Sequence, residues 1–301
     1  LPQARSVQVK ASYTVTDLPK VSPQEPAAFY DQDNDEDYRR RETAKCKKKR
    51  GNLLYTLAMI VFAAIFLISG GLLVKRFLDD RKTENEFADL QSMIDTAATP
   101  APAGENVNPN GARFAALRDK NSDFIGWISI DGTNLDFPVM YAPDNKDFYL
   151  RHDFNKAYSV YGVPYLDEQT TLGANAESDN LIIYGHNMKT GTIFGCLTEY
   201  HKADYYQEHP FIEFDTVYGD AKYEVFGAFT IDVVNDTSFI YNQYIDMDED
   251  AYIRYVDQVI SRSDVDSGIR PAYGEQLLTL STCEYSSANG RYVVVARRVS
   301  D

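Results

Sequence analysis

Residues 53 to 74, Leu53-Leu54-Tyr55 through Leu72-Leu73-Val74, run for 22 positions without a charge and almost without a polar side chain. A helix crosses the hydrocarbon core of a bilayer in about 20 residues, so the run predicts a transmembrane span. It also divides the chain. About 50 residues precede it, and after a further lead some 190 remain for one folded unit, enough for a sizeable core. Arg39, Arg40, Arg41, Lys45, Lys47, Lys48, Lys49 and Arg50 crowd its N-terminal side, whereas Lys75, Arg76, Arg81 and Lys82 beyond it are interleaved with Asp79 and Asp80. By the positive-inside rule the first 52 residues form a cytoplasmic tail and the remainder lies outside the cell. A cleaved signal peptide is the competing reading, but the run exceeds the roughly 7 to 15 apolar residues of such a signal and the segment before it is too long. The expectation is an uncleaved, single-pass signal anchor.

The net charge of −15 is unevenly spread: residues 77 to 301 carry 17 Lys/Arg against 37 Asp/Glu. An acidic domain with no basic stripe repels phosphate backbones, which argues against nucleic-acid binding. The three cysteines, Cys46, Cys196 and Cys283, fall on both sides of the span and imply no disulfide framework; Cys196 and Cys283 are read as free thiols. Cys46, flanked by lysines before the span, is either a palmitoylation site or an incidental thiol. No His/Cys spacing suits a metal and no glycine-rich loop suits a phosphate, so neither metal nor cofactor is expected.

Residues 1 to 50 mix Pro, Gln, Ser and Asp without apolar periodicity and read as disordered. Residues 75 to 111 read as a stalk: a helix over Phe77–Ile94, then an Ala/Pro/Asn/Gly linker from Thr96 to Gly111. The folded domain, 112 to 301, starts with a short helix, Ala112–Asp119. Strand-like runs follow at 127–130, 137–140, 181–184, 211–214, 223–231, 277–281 and 292–299, separated by Gly, Asn and Asp turns. Many short strands of this kind predict a barrel or a sandwich. Helical patterns interrupt them at Thr192–Tyr200 and at Glu249–Arg262, where Tyr252, Ile253, Val256, Val259 and Ile260 recur at helix spacing.

Three side chains stand out. Cys283 ends the run Thr279-Leu280-Ser281-Thr282, at a strand end beside a loop; the plainer reading is a buried core cysteine. His186 follows the strand ending at Tyr184, with Gly185 allowing close backbone approach and Asn187 able to orient a polar partner. His152 is its competitor, while His201 and His209 sit in polar surroundings. Arg291 opens the last strand, and if that strand pairs with the Cys283 run, the guanidinium lies near the thiol; otherwise it is an ordinary rim arginine. A thiol, an imidazole and a permanent cation are the parts that thiol-based acyl transfer requires.

Together the Phe124-Ile125-Gly126-Trp127-Ile128 segment, the Tyr184-Gly185-His186-Asn187-Met188 box, Thr279-Leu280-Ser281-Thr282-Cys283 and Arg291 before Val293-Val294-Val295 resemble the sortases, membrane-anchored cysteine transpeptidases of Gram-positive bacteria. The helical lead and the helix at Glu249–Arg262 resemble class B. The resemblance implies a mainly β fold: a closed eight-stranded barrel with N-terminal helices and an extra helix between late strands. It implies Cys283 and His186 as the acid/base pair, Arg291 on the oxyanion, and Ser281, Thr282 and Glu284 facing substrate. Family members often carry an acid two positions after the cysteine; here that position is Tyr285, and Glu284 is adjacent instead. The implied reaction cleaves a C-terminal sorting motif after threonine and transfers the thioacyl-linked protein to an amine of a peptidoglycan precursor. A surface cysteine protease using water, or a non-catalytic assembly scaffold, are the alternatives.

Overall fold

The computed structural model describes residues 32–97, 109–188, 190–284 and 289–299. The chain forms two units, residues 1–74 and 75–301. The first helix, α1, covers Gln32–Ala97. Its stretch from Asn52 is long and apolar enough to cross a membrane, and its apolar window is uncovered by protein, with Phe62 and Phe66 exposed. Residues 32–50, read above as disordered, are helical instead. The correction has a local cause: Glu, Lys, Arg and Ala favour helix, Asp37 and Arg41 pair one turn apart at 3.0 Å, and extending an existing helix costs far less than nucleating one. Residues 1–31, the linker positions 98–108 and the Cys46 side chain lie outside the described residues.

In the second unit eight strands close a barrel: β1 Phe124–Ser129, β2 Asp136–Met140, β3 Tyr165–Leu166, β4 Asn180–Tyr184, β5 Phe211–Thr216, β6 Lys222–Asp232, β7 Leu277–Glu284 and β8 Gly290–Val299. Their order around the barrel is β1-β2-β3-β4-β7-β8-β6-β5. The β2–β3 and β4–β7 pairs are parallel and the other pairs antiparallel. On β8 alternation sends Tyr292, Val294 and Ala296 into the barrel core and Val293 and Val295 to a second core outside it. Both faces are buried, which is why this strand reads as an unbroken apolar run. The second core is roofed by α5, Glu249–Arg262, which buries Tyr252, Tyr255, Val256 and Val259 and begins where the Asp248 side chain accepts from the Ala251 N–H at 2.8 Å. Ile253 and Ile260, expected on the buried stripe, are exposed, and Tyr255 is buried on that face instead. Where α5 crosses β6 the strand bulges between Val225 and Gly227, and a Cβ at Gly227 would stand 2.4 Å from Val259.

The segment expected to be a stalk packs on the barrel. Within the 75–301 unit, Leu90 and Ile94 of α1 enter the main core, the Phe87 ring meets Phe137 of β2 edge-on at 4.9 Å, and Gln91 Nε2 donates to Asp136 Oδ2 at 2.6 Å. Phe87, Leu90 and Ile94 recur at helix spacing, so the stripe that marks the helix also glues it down. Leu90 is fully buried. Leu90→Ala is expected to lower the stability of the 75–301 unit by about 2–5 kcal/mol, read from the midpoint of urea unfolding; an unchanged midpoint would mean the helix is not docked. The short helix expected at Ala112–Asp119 is two, α2 Pro109–Arg113 and α3 Ala115–Lys120. The helix expected at Thr192–Tyr200 is a 3-10 segment, Gly195–His201, continued by α4, Ala203–Glu208.

Candidate active site

Register alone places the three chemistry-bearing residues side by side. Strands β4 and β7 run parallel with Tyr184 opposite Ser281, and two steps further along each lie His186 and Cys283. Strands β7 and β8 run antiparallel with Cys283 opposite Arg291. Adjacent strands lie about 4.8 Å apart, so an imidazole, a sulfur and a guanidinium are carried on three neighbouring strand ends. All three are part-buried and line one cavity of about 480 Å³, which Ser281 and Thr282 also line.

Cross-links hold this corner together. The Gly185 N–H donates to the Ser281 carbonyl at 3.1 Å, Thr282 Oγ1 donates to the Gly185 carbonyl at 2.8 Å, and Asn187 Nδ2 donates to the Cys283 carbonyl at 3.0 Å. The expected close approach at Gly185 is present: a Cβ there would meet the Phe194 ring at 2.6 Å. Thus Asn187 ties the histidine segment to the cysteine backbone, and Thr282 commits its hydroxyl to structure. Ser281 is 1% exposed and its Oγ lies 2.8 Å from the Tyr241 hydroxyl. The Glu284 side chain and residues 285–288 lie outside the described residues.

The tautomer of His186 follows from one bond. Its Nε2 lies 2.8 Å from the Leu150 carbonyl, which can only accept, so Nε2 carries hydrogen and Nδ1 keeps the lone pair in the neutral ring. Burial pulls the His186 pKa below its ordinary value, opposed by the Leu150 carbonyl and reinforced by the Arg151 charge. The resting ring is therefore neutral near pH 7 and able to take a proton. His152 does not line the cavity; it stacks on Phe148 at 3.9 Å and bonds the Phe148 carbonyl through Nδ1 at 2.7 Å. Cys196 is a second free thiol, and burial raises its pKa, the opposite of activation.

Sequence reasoning missed much of the cavity wall. Tyr241 comes from the loop between β6 and α5. Asp167, 2% exposed beyond β3, accepts the Tyr184 hydroxyl at 2.9 Å, and burial raises its pKa. Arg151 adds a second guanidinium to the lining. These positions have no periodic pattern around them; the adjacency of Leu150-Arg151 to the competing His152 was the only available signal.

A family model described as a sortase domain matches residues 128–299, more than half the chain. Sortase B of Staphylococcus aureus is 30% identical over 244 residues, covering 80% of this chain and 95% of that protein. A solved Staphylococcus aureus sortase B–substrate complex superposes with a TM-score of 0.65 at 29% identity, covering 74% of this chain and 99% of that one. A structure of sortase B complexed with triglycine gives 0.63 at 30% identity, covering 73% of this chain and 99% of that one. A closed eight-stranded barrel, a helix before its last two strands and matches of this extent lead to one conclusion: the chain belongs to the sortase family, class B, the cysteine transpeptidases that anchor surface proteins.

Proposed function

We propose that Cys283 is the nucleophile, His186 its proton partner and Arg291 the oxyanion clamp. The observation that carries this reading is the placement of the three on adjacent ends of β4, β7 and β8 within one cavity. The Cys283 proton passes to His186 Nδ1, and the sulfur attacks the carbonyl carbon of the threonine in a sorting motif. As the S–C bond forms, the carbonyl π pair moves onto oxygen, and the resulting oxyanion is met by Arg291, a cation that cannot lose its proton. As the tetrahedral adduct collapses, the C–N bond breaks and His186 returns a proton to the departing amine. A thioester remains on Cys283. An amine of a peptidoglycan precursor then attacks it, gives a proton to His186, and leaves as an amide while the thiol is restored. An amine acceptor is supported by likeness to a sortase B that was solved with triglycine. Ser281, held by Tyr241, lies two residues before the sulfur and forms the wall against which the sorting peptide rests; Thr282 and Glu284 flank it.

The same reading places residues 53–74 in the cell membrane as a single pass, with the tail of residues 1–52 in the cytoplasm and the domain of residues 112–301 outside. Its support is the uncovered apolar helix and the basic block that precedes it. Incubating the full chain in detergent with sorting-type peptides, with and without added amine, tests the reaction. Amide product that grows with amine is expected; acid product alone, indifferent to amine, would mark a protease instead. Arg291→Lys keeps a charge but loses the planar fork, and a loss of about 10- to 100-fold in kcat with little change in KM is expected in the same assay. An unchanged kcat would remove Arg291 from the oxyanion.

A further inference from the structure

The cavity around the thiol carries more charge than acyl transfer uses, and most of it is already paired. Lys146 Nζ lies 2.6 Å from Glu168, Asp147 accepts the Tyr165 hydroxyl at 2.7 Å, Asp236 is held by Arg262 at 2.7 Å, and Arg291 donates to the Gly290 carbonyl at 3.0 Å. Arg151 differs. It lines the cavity and is exposed, and among the described residues no acceptor lies within hydrogen-bond or ion-pair distance of its guanidinium. Its backbone is nonetheless fixed: its N–H donates to the Phe148 carbonyl at 3.2 Å and its own carbonyl accepts from Ser159 at 2.9 Å. The preceding residue, Leu150, supplies the carbonyl that holds the His186 ring. One turn therefore fixes the imidazole and sets an unpaired cation beside it, strongly enough coupled for the Arg151 charge to act on that ring.

The position decides which reactant such a cation can meet. The donor carbonyl has to sit between Cys283 and Arg291, across the β7–β8 pair. The incoming amine must instead give its proton to His186, and Arg151 lines the same cavity from the turn whose Leu150 carbonyl holds that ring. The surrounding domain is strongly acidic, 17 Lys/Arg against 37 Asp/Glu from residue 77 onward, so its overall field repels an anionic acceptor. That field is screened over about 8 Å at physiological salt, and a guanidinium in contact range can reverse it locally through paired N–H donors. We infer that Arg151 binds a carboxylate carried by the acceptor amine, making the preferred acceptor an amino-acid-type nucleophile rather than a simple alkylamine. The inference rests on the transpeptidase reading above and deepens it by naming the acceptor's chemistry.

The test uses the full chain in detergent, loaded as thioester with a sorting-type peptide. Two matched amine pairs then discharge it: glycine against glycinamide, with the carboxylate on the amine-bearing carbon, and Nα-acetyl-lysine against its amide, with the carboxylate at the far end of the side chain. The acid-to-amide rate ratio is measured for the wild type and divided by the same ratio for Arg151→Gln, which cancels differences in amine basicity. A double ratio of about 10 in at least one pair is expected, as for loss of one charge-assisted contact, with Arg151→Lys falling between and the ratio shrinking as salt is raised. A double ratio of one in both pairs, with the thioester forming normally, overturns the Arg151 assignment and leaves the transfer reading intact. A raised KM for the sorting peptide in Arg151→Gln with that same ratio of one assigns the cation to the donor and also overturns it. Failure of any thioester to form removes the transfer reading, and this inference with it.

Discussion

Cys283→Ala is expected to leave a folded barrel that forms neither thioester nor amide product, a loss on the order of 1000-fold or more. The sulfur is the only heavy atom the change removes, and its site is part-buried at a strand end instead of deep in the core. Stability should therefore move by no more than about 1 kcal/mol. Strand β7 keeps its ladder to β4 and β8, and the Asn187 bond to the backbone carbonyl at position 283 does not depend on the side chain. Cys196 offers no substitute, because it lies outside the cavity and burial raises its pKa. Circular dichroism and urea unfolding report the fold while product analysis reports the chemistry. Cleavage of a sorting peptide by the alanine variant would defeat the assignment.

His186→Ala is the second large effect: about 100- to 10,000-fold in turnover, the usual range for a positioned acid/base group. His152→Ala supplies the contrast. Both imidazoles bond a backbone carbonyl in the same chain segment, His186 to Leu150 and His152 to Phe148, but only His186 reaches the cavity. The His152 variant loses a ring stack at 3.9 Å, so about 1 kcal/mol of stability and little activity should go with it. Equal loss of activity in both variants would mean that this segment acts through structure alone. Rate measurements at saturating peptide, paired with thermal unfolding of each variant, separate the two outcomes.

The parts of the fold that could be read from sequence are those whose burial imposes a period. Helix Glu249–Arg262 was legible in its bounds because Tyr252, Val256 and Val259 form a buried stripe at helix spacing, although Ile253 and Ile260, read into that stripe, face outward. The long runs of β6, β7 and β8 were legible because both faces of β8 are buried and the apolar pattern is continuous. Tyr165–Leu166 was not, since two residues carry no alternation and their strand is defined by pairing to β2 and β4, both distant in sequence. Residues 32–50 misled for the converse reason: a helix continuing a span needs no apolar stripe of its own. Phe77–Ile94 was recognised as helical, but nothing local says that Leu90 ends in the barrel core. At the site, strand ends made Cys283, His186 and Arg291 visible, and a guess that the last two strands pair through their loop was enough to join two of them. Tyr241, Asp167 and Arg151 stayed hidden because they reach the cavity from connecting segments whose path only the closed barrel fixes.

One sulfur, on β7 between β4 and β8, is assigned as the acceptor of the acyl group. Mass analysis of the wild-type chain after brief acid quenching from a sorting-type peptide tests that assignment most directly. A single acyl adduct is predicted, mapped to Cys283 by tandem fragmentation and discharged by added amine. An adduct on Cys196 or Cys46, or steady product formation with no adduct on any of the three thiols, would contradict it.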